Sequence, residues 1–107
     1  MTMKYKRHTF IALAMCAVLG AQAPKHNYVP KEGYVPDATT AIKIAVAVWV
    51  PIYGEKTIAD EKPYIAKLSN EGVWTVCGSL PANMVGGTAI AEISKKDGRI
   101  LRVSHGK

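Results

Sequence analysis

The chain has 107 residues, 49% of them hydrophobic, and a formal net charge of +6 at pH 7. Lys4, Lys6 and Arg7 sit together at the N-terminus, so the remainder is only mildly basic, with 11 basic and 8 acidic side chains. That balance argues against a nucleic-acid binder, which concentrates Lys and Arg in a stripe with aromatic residues interleaved, and the short length leaves no room for a deep cleft between two lobes.

Behind the basic head, Thr9 to Gly20 is almost wholly apolar, and Ala21-Gln22-Ala23 follows as a small-x-small site. This order is the pattern of a secretory signal peptide. Residues 1–23 are therefore expected to be cleaved after Ala23, with the mature protein in the periplasm. The apolar run is well short of the roughly 20 residues that span a bilayer, which sets a membrane anchor aside. Lipid attachment at Cys16 is the disfavoured alternative, because Met15 is bulky where a small residue normally precedes a lipidated cysteine. Loss of the leader leaves Cys77 alone, so no internal disulfide forms, and its place in "VWTVCGSL" suggests a small buried apolar residue.

Residues 24–36 contain three prolines and no apolar period, and are expected to form an extended, poorly packed arm carrying Tyr28 and Tyr34. Asp37 is a helix N-cap ahead of Ala38, since its carboxylate can accept from the free N–H groups of the first turn. In the apolar run that follows, Ile42, Ala45, Val46 and Trp49 share one face at helical spacing. Pro51 is expected to end or kink the helix near Val50 and to open a turn that Gly54 closes. "EKTIADEK" is a polar connection with room for one helical turn.

Short apolar runs then read as strands. "YIAKL" and "VWTVCGSL" flank Ser69 to Gly72, and "TAIAEIS" and "RILRVS" flank Lys95 to Gly98, whose Asp-Gly pair is the stronger hairpin signal. Pro81 to Gly87 is the longer loop between the hairpins. The fold class expected for residues 37–107 is α+β: an N-terminal helix packed on a curved four-stranded antiparallel sheet. The helix should meet Trp74, Val76, Ile93 and Ile100, and the other sheet face is left for a partner or a second copy in a homodimer.

Little here suggests chemistry. Beyond the leader there are two histidines, His26 and His105, and neither has a partner at metal-ligand spacing. No nucleophile motif surrounds Ser79, and Gly86-Gly87 precedes strand residues rather than the helix a phosphate loop needs. No enzyme activity, metal or cofactor is expected. Lys95, Lys96, Arg99 and Arg102 gather around the last hairpin, extended by His105 and Lys107; they form either a solvated edge that discourages sheet pairing or a docking patch for an acidic partner.

The stretches "VPDATTAIKIAVAVWVPIYGEK", "EKPYIAKL", "GVWTVCGSLP", "GGTAIAEISKKDGRIL" and "HGK", in that order, resemble the YbbC/YhhH family of bacterial immunity proteins. The resemblance spans nearly all of residues 35–107 and implies a nuclear transport factor 2-like fold, related in outline to cystatin-like domains. It also implies an antitoxin that binds and neutralises a cognate antibacterial toxin. Export would then point to a toxin attacking the cell wall or membrane. The loop Pro81 to Gly87, with Asn83 and Met84 at its tip, is the first candidate for insertion into the toxin's cleft, as an apolar anchor ringed by polar groups. The "KKDGRIL" turn also resembles that of PepSY domains, and the alternative function is restraint of a peptidase; a structural envelope protein is a third class.

Overall fold

A computed structural model describes residues 26–106. The expected signal peptide, Cys16 and Lys107 lie outside the described residues.

Helix α1 spans Ala38–Tyr53. Asp37 is extended, and its Oδ1 accepts from the Thr40 N–H at 2.8 Å, which is the expected cap. Hydrogen bonding to Thr40, first from its side chain and then from its backbone N–H, holds the Asp37 carboxyl below the ordinary carboxylate range. The fully buried stripe is Ala41, Ala45 and Trp49, with Ile42 and Val46 at its flanks rather than its centre. The expected break at Val50 does not occur, and the helix runs through Pro51 to Tyr53. In the last turn the proline forfeits only one helical bond, while the Gly54 N–H still reaches the Val50 carbonyl at 2.9 Å. A five-residue helix α2, Glu55–Ala59, follows and buries Ile58.

Strands β1 (Ile65–Leu68), β2 (Val73–Cys77), β3 (Ala89–Ser94) and β4 (Ile100–His105) form an antiparallel meander in the order β1-β2-β3-β4. The turns are those read from the sequence, and Gly98 takes the positive φ of 75° that the second hairpin requires. Alternation along β2 and β3 sends Trp74, Val76, Ala89, Ala91 and Ile93 toward α1, where all are buried. Small side chains at 41, 45, 89 and 91 let helix and sheet approach closely.

Ile100 departs from expectation, being 38% exposed. Helix α1 lies over β1, β2 and β3, while a register irregularity between Glu92 and Ile93 displaces the start of the edge strand β4. Val103, opposite Ala91, supplies β4's packing against the core instead. The arm also departs from expectation at its end. Val35 is 1% exposed, and the N–H groups of Tyr34 and Val35 donate to the carbonyls of Lys96 and Lys95 at 3.0 Å each.

The face away from α1 carries two cross-strand rows. One is Ile65, Cys77, Ile90 and Ser104; the next is Lys67, Thr75, Glu92 and Arg102. Cys77 is thus half-buried on the uncovered face rather than enclosed in the core.

Candidate partner-binding surface

The loop between the hairpins stands at the end of the sheet where β2 stops and β3 begins. A turn closes over Pro81 to Met84, with the Met84 N–H donating to the Pro81 carbonyl at 3.0 Å. Beyond it Met84 is 58% and Val85 98% exposed, with Asn83 beside them also exposed. Solvent-exposed apolar side chains on a turn are surface that a partner can remove from water.

What holds this loop is a carboxylate that no sequence pattern marked. Glu61, just beyond α2, is 7% exposed. Its Oε1 accepts from the Ala89 N–H at 2.8 Å, its backbone carbonyl accepts from the Ser79 N–H at 2.7 Å, and its Oε2 lies 2.7 Å from His105 Nε2. Gly78 lies against it so closely that any side chain there would overlap the Glu61 carboxylate. Ser79 Oγ adds a bond to the Pro63 carbonyl at 2.6 Å. Both stems of the loop are therefore tied to one short segment.

His105 sits between two acceptors. Nε2 faces Glu61 and Nδ1 lies 2.7 Å from the Gly106 carbonyl, while the ring packs on Tyr53 at a centroid distance of 5.0 Å. An imidazole with acceptors on both nitrogens is best satisfied as the doubly protonated cation. Its pKa is accordingly raised, first by Glu61 and then by Gly106, with burial opposing.

The basic residues do not form the single cluster expected from their order in the chain. Lys95 and Arg99 lie at the β3–β4 turn, whereas His105 lies at the opposite end of β4, and five strand steps of about 3.3 Å separate the ends. Lys95 is spent on the arm: its Nζ donates to the Glu32 carbonyl at 2.6 Å and lies 3.6 Å from the Glu32 carboxylate. Arg102, in the uncovered face, donates to Glu92 at 3.3 Å and to Ser104 Oγ at 3.2 Å. The Arg99 side chain is exposed, and its backbone N–H is taken by Asp97. The structure thus brings Asn83 and Met84 to the same end as His105, and leaves Lys95 and Arg99 at the other.

Ser79 and His105 do not engage each other. The serine hydroxyl is committed to a carbonyl and the imidazole to Glu61, which is not the relay of nucleophile, base and acid that acyl transfer needs. Among the described residues no group of three or more His, Cys, Asp or Glu side chains is placed to hold a metal ion.

Residues 40–107 match the family model described as NTF2 fold immunity protein. The chain is 37% identical over 75 residues to the uncharacterized protein YhhH of Escherichia coli strain K12, and 40% identical over 75 residues to the uncharacterized protein YbbC of the same strain. These matches cover 68% of this chain and 58% and 60% of those proteins, so the chain spans about three fifths of the length of the curated relatives it matches. No solved structure matches it.

Proposed function

The chain belongs to the family of NTF2 fold immunity proteins, and on that premise we propose that it binds a cognate antibacterial toxin in the periplasm and neutralises it by occluding the toxin's active site. The observation that carries the reading is the loop Pro81 to Gly87. It presents Met84 and Val85 to solvent on stems tied down by buried hydrogen bonds. An apolar tip on a fixed base enters a cleft with little ordering penalty, and so retains more of its burial free energy as affinity.

The protein acts in this reading by binding and not by catalysis. Arg99 and Lys96 at the far turn speed encounter with an acidic toxin surface without supplying most of the affinity. In this reading the leader directs the protein to the compartment where a cell-wall or membrane toxin acts.

The test is co-expression with the adjacent gene's product directed to the periplasm, scored by survival and co-purification. Survival only with the exported protein, together with a one-to-one complex, supports the reading. If the adjacent product is not toxic and no complex forms, the reading falls and restraint of a peptidase takes its place. Size-exclusion chromatography of the protein alone separates toxin binding from self-association through the uncovered sheet face.

A further inference from the structure

At the end of the sheet opposite the loop, the arm and two turns wall an open groove of about 620 Å³. Its sides are residues 29–33 of the arm, Glu71 and Gly72 of the β1–β2 turn, and Ser94 to Lys96 at the β3–β4 turn. The volume falls within the range of sites that hold a ligand, about 300–1,000 Å³.

The walls are fixed before anything enters. The arm is fastened to the β3–β4 turn through the Tyr34 and Val35 N–H groups and through the Lys95 ammonium, which donates to the Glu32 carbonyl at 2.6 Å. The Tyr34 hydroxyl donates to the Tyr28 carbonyl at 2.6 Å and ties the start of the arm to its end. The Lys95 N–H donates to the Gly72 carbonyl at 2.9 Å, which joins the two turns. Gly33, at a φ of 87°, lies so near the Lys95 carbonyl that any side chain there would overlap it. A groove already held by such bonds has little left to order when a partner binds.

Its charges do not balance. Lys95 and Glu32 face each other at 3.6 Å and are spent. Lys31 and Lys96 are exposed and make no ion pair among the described residues, and Arg99 adds an exposed guanidinium beyond the turn. Against these stand Glu71 on the other turn and Asp97, whose carboxylate is turned back onto the Arg99 N–H at 3.0 Å. Val29 supplies an exposed apolar wall beside the lysines. Ammonium groups carried on two different elements next to apolar surface suit successive carboxylates on an extended chain, whereas one small anion needs donors that converge on a point. We propose that this groove docks an acidic, extended segment of a protein partner, with Lys31 and Lys96 meeting its carboxylates and Val29 its apolar side chains. That the segment belongs to the toxin rests on the immunity reading; the groove's preference for an acidic chain does not.

The experiment titrates the purified ¹⁵N-labelled protein with hexaglutamate and with hexalysine by NMR, at an ionic strength of about 0.15 M so that loose surface attraction is screened. Hexaglutamate should shift the amides of Lys31, Gly33, Gly72 and Lys96 more than those of the loop, and hexalysine should not. Lys31→Glu combined with Lys96→Glu should weaken hexaglutamate at least about tenfold, while Glu71→Gln should tighten it; all three side chains are exposed, so the fold tolerates these changes. Shifts spread evenly over the surface, a preference for hexalysine, or a double variant that binds as well as the wild type overturns the proposal. In a complex with the adjacent gene's product, Lys31→Glu should speed dissociation, which steering alone leaves unchanged; an unaltered dissociation rate overturns the groove as a toxin contact. If no such complex forms while hexaglutamate still seats in the groove, the toxin reading falls and the groove stands.

Discussion

The indole Nε1 of Trp74 donates to the backbone carbonyl of Val35 at 2.8 Å, joining residues 39 apart in sequence inside the core. Trp49, the other buried indole, packs on Tyr64 at 5.9 Å, and its Nε1 is the one buried side-chain donor without a partner among the described residues. Trp→Phe at either site removes a similar volume, but only at 74 does it strip a buried carbonyl of its donor. Trp74→Phe should therefore cost about 1–2 kcal/mol more than Trp49→Phe, measured by urea unfolding. Equal losses would mean that the bond to the arm adds nothing to stability.

Glu61 satisfies the Ala89 N–H and the His105 cation from a buried position. Replacing it with leucine orphans both, so Glu61→Leu should lose about 3 kcal/mol or more. Glu61→Gln, which still accepts from Ala89, should lose less. Thermal midpoints of the two variants give the comparison, and a leucine variant as stable as the wild type would refute this account of the carboxylate.

The pH dependence of stability follows from the signs of the shifts. His105 has a raised folded-state pKa, so its contribution is complete below the unfolded value of about 6.5 and is lost as pH rises through the folded value. Asp37 and Asp97 have lowered values, from bonds to Thr40 and to the Arg99 N–H respectively. Their contributions are present above the ordinary aspartate value and are lost as pH falls through the folded ones. Stability should therefore decline at both ends, and His105→Phe should abolish the decline that sets in above the ordinary histidine value while leaving the acid limb in place. Chemical unfolding at closely spaced pH values decides this.

Met84 and Val85 lie in solvent, so charge there is tolerated by the fold. Met84→Asp and Val85→Asp should each leave the melting temperature unchanged yet weaken a toxin complex at least about tenfold, the effect expected of an apolar anchor. Arg99→Ala should change the association rate, and its salt dependence, more than the dissociation rate. Calorimetry and stopped-flow kinetics on the complex separate these effects.

The elements were legible because their signals are short-range. Asp37 caps the residues beside it, the 3.6-residue period of α1 and the two-residue period of β2 and β3 declare which face is apolar, and Asp97-Gly98 specifies its own turn. The two hairpins follow from their two short turns, and the resemblance in "GVWTVCGSLP" and "GGTAIAEISKKDGRIL" leads to the same fold family.

Other features depend on residues far apart in the chain. Glu61 looks like any other acid in "EKTIADEK", and only the return of β4 places His105, 44 residues on, against it. Val35 reads as part of a linker until the β3–β4 turn supplies its backbone partners and Trp74 its side-chain donor. Ile100 has the apolar character of a core residue, yet the reach of α1 and the register of an edge strand leave it in water. Local sequence thus determined the helices, strands, turns and fold family, because those follow from backbone preference and periodicity within a few residues. Which polar groups are buried, and whom they bond, was decided by tertiary structure alone, since a buried charge is stable only where distant segments bring it a partner.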